Sequence, residues 1–100
     1  MHAVVNHLPL KEGIDWAALA RKFDDFNATI DHPGFRGLSI IRASDSEAIL
    51  LVLFQTRAAL DEVTHNLAMP WFAKNVRPYL AGPVSRSAGE IVAGALRSKS

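Results

Sequence analysis

Apolar and polar positions along the chain switch between two periods. Ala3 to Leu8 is a short apolar segment with β-branched residues, closed by Pro9 and by Lys11-Glu12-Gly13, and it predicts a first strand. Asp15 then stands as an N-cap before Trp16, Leu19, Phe23, Phe26 and Ile30, whose steps of three and four put them on one helix face. That helix is expected to end near Asp31, because His32 precedes a proline and Gly34 supports the break. From Phe35 to Arg42 the period falls to two. Arg36, Leu38, Ile40 and Arg42 share one face of a second strand, and Phe35, Gly37, Ser39 and Ile41 the other. Ser44-Asp45-Ser46 supplies turn-forming side chains, and a third strand runs from Ala48 to Gln55 with seven unbroken apolar residues, Ala48 to Phe54.

Thr56 caps a second helix, with Leu60, Val63 and Leu67 inward and Arg57, Asp61 and Glu62 outward. Pro70 predicts an interruption, after which Met69 to Leu80 forms another short helix carrying Trp71, Phe72, Val76 and Tyr79. Ala81-Gly82-Pro83 ends that region. Val84 to Val92 supplies a fourth strand, the least strand-like of the four because of its Ser and Gly content. The order is β-α-β-β-α-β, an α+β arrangement in a single domain over residues 1–95, with a loose tail over 96–100.

The third strand is apolar on both faces, so helices on one side of the sheet would leave either Leu50, Val52 and Phe54 or Ile49, Leu51 and Leu53 facing water. Burying three such side chains is worth roughly 1.5–3 kcal/mol each. Pairing of two copies through their sheets is the economical solution, and a homodimer is expected. The alternative is that the C-terminal segment of the same chain caps that face.

Composition narrows the class. A 100-residue chain with 49% hydrophobic and 21% charged residues is one domain able to bury roughly two thirds of its unfolded surface. A net charge of +1 without a basic cluster offers no footprint for nucleic acid. The element order is shared with RNA-recognition domains, but those stack bases on exposed aromatics of the central strands. Here the first strand has no aromatic and the third only Phe54, so RNA binding is not expected. With no basic region ahead of an apolar stretch, and no apolar run near the ~20 residues of a membrane span, the expectation is a cytoplasmic protein with no membrane contact. Absence of Cys removes thiolate nucleophiles and Cys-based metal sites. His2, His7 and His32 show no metal-ligand spacing, so no metal site is expected. No glycine-rich phosphate loop suggests flavin or nicotinamide, and no cofactor is expected.

Pro33-Gly34-Phe35-Arg36-Gly37, the hairpin, Thr56-Arg57-Ala58-Ala59-Leu60, His65 followed by Leu67-Ala68-Met69-Pro70-Trp71-Phe72, and Leu80-Ala81-Gly82-Pro83 together resemble the antibiotic biosynthesis monooxygenase domain family. The resemblance covers nearly the whole chain. It implies a ferredoxin-like monomer with an antiparallel sheet that dimerises into an α/β barrel, with a pocket between sheet and helices in each monomer. The family includes cofactor-independent monooxygenases of aromatic polyketides, haem-degrading enzymes and members without known activity, so fold does not give function. Phe54 stands where many relatives have Trp, Trp71 where they often have a second His, and the helix near Asn66 carries an extra residue. The haem-degrading branch has a catalytic Asn matched by Asn6. Its haem-buckling Trp and iron-ligating His fall near Val63 and Ala73, which makes haem degradation the less favoured branch.

Several side chains are candidates for chemistry. Asn6, polar in an apolar strand, could stabilise a substrate oxyanion or could bond a neighbouring element. His65, matching a family His, could act as a base near neutral pH or could sit exposed near a helix C-terminus. Trp71 and Phe72 could wall a planar ligand together with Phe23, Phe26 and Phe54, although Phe23 and Phe26 also fit simple core packing. Arg36 and Arg42 share a strand face and suit anion binding or a dimer rim. Arg77 and Tyr79 suit the pocket mouth or plain solvation. The primary reading is a cofactor-independent monooxygenase acting on a small hydroxylated aromatic or quinol-like compound. The alternative is a non-catalytic dimeric binding module for an apolar metabolite.

Overall fold

In the computed structural model, which describes residues 1–94, each long helix begins where a side-chain oxygen satisfies a backbone N–H left without a partner in the first turn. The Asp15 carboxylate accepts from the Ala18 N–H at 3.0 Å and opens helix α1 (Trp16–Thr29). The Thr56 hydroxyl accepts from the Ala59 N–H at 3.1 Å and opens α2 (Arg57–Val63). Both caps stand where the sequence places them. The tail expected over 96–100 lies outside the described residues.

Strands β1 (His2–Pro9), β2 (Phe35–Ser44), β3 (Glu47–Phe54) and β4 (Ser85–Glu90) form one antiparallel sheet in the order β2-β3-β1-β4. With two helical segments on one face, this is the ferredoxin-like α+β arrangement. Register decides which side chains meet. Asn6 stands opposite Leu50 on β3 and opposite Arg86 on β4, so these three share a face.

One strand departs from simple alternation. Phe35 pairs with Phe54 and Gly37 with Leu53, so Arg36 is the extra residue of a β-bulge. Gly37 takes φ +113° there, in the left-handed region where a side chain is strained. The bulge moves Phe35 onto the helix-facing side with Leu38 and Ile40, where regular alternation put it on the other. It also removes Arg36 from the face shared with Arg42. The Arg36 guanidinium donates to the Pro33 carbonyl at 2.7 Å and to Gln55, while that of Arg42 pairs with Asp45 at 2.7 Å and lies 4.9 Å from the Trp16 ring.

The second helical region is bulged, not broken at Pro70. A π turn (Thr64–Ala68) joins α2 to α3 (Met69–Asn75), with the Met69 N–H bonded to the Thr64 carbonyl five residues back. The extra residue near Asn66 is absorbed as this wider turn. A regular helix would set the Pro70 ring against the Asn66 carbonyl, and widening the turn just before it relieves that clash. The turn also rotates Leu67, expected inward, to 41% exposure. Helix α3 stops at Asn75, well short of Leu80, and a 3-10 turn (Arg77–Tyr79) follows. Pro78 accounts for the stop, since its ring nitrogen has no hydrogen to donate to the Lys74 carbonyl and the ring would crowd that carbonyl in a continued helix.

All helices pack on the face of Val4, Leu8, Ala48, Leu50 and Phe54, and the core is split in two. Leu8, Leu10, Leu19, Phe23, Ala48, Leu50 and Val76 form one cluster. Val4, Phe54, Ala59, Leu60 and Val63 form the other, and the partly buried Val52 touches both. The opposite sheet face carries Val5, Ile49, Leu51 and Leu53, half-buried, and Ile41, exposed. Among the described residues no helix or strand lies over it. No helix among them is long and apolar enough to cross a membrane.

Candidate functional site

Where the two core clusters fail to meet, a cavity of about 340 Å³ opens between sheet and helices. Its floor is Val4 and Asn6 of β1 with Leu50, Val52 and Phe54 of β3. Phe23, Phe26 and Ile30 form one wall, and Val63, Thr64, Ala68, Met69, Trp71, Phe72 and Ala73 the other. Arg77, Val84 and Arg86 complete it from the C-terminal half of the chain.

The aromatic wall is a stacked assembly. Trp71 lies parallel to Phe26, centroids 4.1 Å apart and planes 6° from parallel, and meets Phe23 edge-on at 5.2 Å. Such pairs add roughly 0.5–1.5 kcal/mol each beyond buried area. Phe35 and Phe54 meet edge-on at 5.9 Å on the opposite side. Five ring-bearing residues expected at a ligand, Phe23, Phe26, Phe54, Trp71 and Phe72, therefore all border the same space.

Asn6 borders it too. Its side chain makes no hydrogen bond among the described residues, so an amide with two donors and an acceptor is presented at the cavity floor. His65 is not brought to it. That residue sits on the exposed side of the π turn, although its neighbour Thr64 lines the cavity. Among the described residues no His, Lys, Asp or Glu lines the cavity, and the charged groups there are the guanidiniums of Arg77 and Arg86.

Phe35 and Arg86 escaped sequence reasoning for separate reasons. Phe35 needed the bulge, whose signal is a glycine two residues into a strand. Arg86 needed the β1–β4 register, which no local pattern specifies. Tyr79 packs beside the first core cluster with the Lys22 ammonium 5.8 Å from its ring, and it does not line the cavity.

Comparison of folds places the chain among proteins of the antibiotic biosynthesis monooxygenase fold. A protein from Caulobacter crescentus described as a candidate antibiotic biosynthesis monooxygenase superposes with a TM-score of 0.75 at 18% identity, over 92% of this chain and 90% of that one. A variant of SnoaB, a cofactor-independent oxygenase from Streptomyces nogalater, gives 0.72 at 14% identity, over 93% and 94%. The haem degrader MhuD from Mycobacterium tuberculosis, with two haems bound in its active site, gives 0.70 at 17% identity, over 95% and 99%. At these identities the likeness is one of fold. No family model matches the sequence, and no curated protein matches it.

Proposed function

We propose that the chain is a cofactor-independent monooxygenase of small hydroxylated aromatic or quinol-like compounds. The observation that carries the reading is the aromatic-walled cavity with the Asn6 amide, without a hydrogen-bond partner among the described residues, on its floor. A planar ligand would lie between the Phe26–Trp71 stack and the sheet, with a ring oxygen on the Asn6 amide. The ionised substrate itself reduces oxygen: O2 adds at a ring carbon that keeps its hydrogen, a proton from solvent completes the hydroperoxide, and loss of that carbon-bound hydrogen with the terminal hydroxyl as water leaves a carbonyl. One oxygen atom is retained and the other departs in the water. The protein's part is to bind the anion, hold its charge and exclude bulk water. Likeness to a cofactor-independent oxygenase supports the class. Likeness to a haem degrader carries less, because among the described residues Val63, Ala73 and the rest of the lining include no histidine to ligate iron.

A base is the part this reading does not draw from the cavity. With His65 exposed, the substrate has to ionise near neutral pH by itself. The same observation favours a second reading, a non-catalytic binding module for an apolar metabolite. Oxygen uptake with a panel of hydroxylated aromatics and quinols, without added metal or flavin, separates the two. Turnover that collapses in Asn6→Ala with far-UV circular dichroism unchanged supports the enzyme. Saturable binding with no oxygen consumed supports the module, and full activity of Asn6→Ala removes the amide from the mechanism.

We also propose that two copies associate through the sheet face of Val5, Ile41, Ile49, Leu51 and Leu53. Burying these side chains would stabilise a dimer by roughly 1.5–3 kcal/mol for each one fully covered.

A further inference from the structure

We infer that the ligand of this cavity is an aromatic acid, its carboxylate held by Arg86 with Arg77. This rests on the reading of the cavity as a ligand site and names the class of compound it takes. Both guanidiniums border a space whose other lining residues, among the described residues, are uncharged. Neither forms an ion pair or a side-chain hydrogen bond among the described residues, whereas His32, Arg42 and Arg57 pair with Glu62, Asp45 and Asp61.

Position makes the two arginines complementary. Arg86 is the β4 residue directly opposite Asn6, so the guanidinium and the amide start from adjacent sites on one sheet face. Arg77 opens the 3-10 turn that follows the helix carrying Trp71 and Phe72, and it borders the same cavity. A neutral aromatic would fill the apolar part and leave both cations solvated at its edge. An aromatic acid would fill the same part and put a carboxylate on a planar fork that matches it in a bidentate way. Without these cations, drawing a carboxylate into a space lined by Phe23, Phe26, Trp71 and Phe72 would be strongly unfavourable, because its hydration would be lost with nothing to replace it.

Calorimetry with 2-naphthoic acid and its methyl ester tests this on the unmodified full-length protein. The two compounds share the ring system and differ in charge. The expected result is binding of the acid at least about 10-fold tighter than the ester, the factor that a charge-assisted hydrogen bond supplies. That preference should shrink with added salt and disappear in the Arg77→Met/Arg86→Met protein, while the ester affinity stays within a few fold. Equal binding of acid and ester overturns the inference and leaves the cavity a site for neutral aromatics. A preference that survives the double substitution also overturns it. Binding of neither compound removes the ligand-site reading and the inference together.

Discussion

Gly34 sits where a single methyl group tests the packing of α2 against the turn that enters β2. A Cβ built at this buried position runs into the Cβ of Ala59, well inside the closest approach of real side chains. The turn has little freedom to retreat. The Gly34 N–H donates to His32 Nδ1 at 3.0 Å, its carbonyl accepts from the Gln55 N–H at 2.7 Å, and His32 is tied through Nε2 to Glu62 of α2 at 2.8 Å. Gly34 needs no positive φ, so Gly→Ala here lacks backbone strain and gains roughly 0.4–1 kcal/mol from a less flexible unfolded chain. Overpacking opposes that gain with roughly 1–3 kcal/mol, and the clash is backbone-anchored on both sides, which places it toward the upper end. The net expectation for Gly34→Ala is a destabilisation of about 1–2 kcal/mol, a fall in melting temperature of roughly 4–16 °C in a domain of this size. Ala59→Gly alone should be destabilising by about 1 kcal/mol, the helix-interior penalty of glycine. Since it vacates the space that a methyl group at position 34 would need, the double variant should match Ala59→Gly alone, a coupling of about 1–2 kcal/mol by urea unfolding. Additive effects, or a Gly34→Ala protein as stable as the parent, would show that α2 does not touch the turn.

Leu51→Arg should convert a sheet-paired dimer to monomer in light scattering, through a charge placed among Val5, Ile49 and Leu53, with strand content by circular dichroism retained. His65→Ala should leave ligand affinity and any turnover within about 2-fold, because substitutions on exposed positions away from a site are usually within about ±0.5 kcal/mol; a large loss would bring the imidazole back to the chemistry. Gly37→Val should be destabilising by roughly 1–3 kcal/mol through its left-handed backbone, and nuclear magnetic resonance should show Phe35 displaced from the cavity wall.

Much of this was readable from the chain because the relevant forces are local. The caps at Asp15 and Thr56, the stripe of Leu19 and Phe23, and the double-sided β3 follow from side chains a few residues apart, and the structure places them as the pattern requires. What alternation could not deliver was the bulge at Arg36, where one additional residue reverses the facing of Phe35. The pairing of Asn6 with Arg86 depends on a strand 80 residues further along and on contacts that no sequence window contains. The aromatic set was legible as residue type, yet its meeting in one place depended on Trp71 reaching α1 after the π turn. His65 shows the limit from the other direction: a His beside a lining residue still faces outward, since adjacent helical positions point about 100° apart.

The π turn makes the contents of the cavity depend on a count of residues as much as on their identities. Winding Thr64–Ala68 as a plain α-helix with every residue kept would swing everything after it by about 100° relative to α2. Trp71 and Phe72 would then leave the side that faces Phe26, and other members of α3 would take their place. The wide turn thus lets this segment carry one more residue than a plain helix while the aromatic wall keeps its place, so a change of length there reshapes the cavity beside Thr64 and Ala68 in a domain whose sheet and first helix need not change at all.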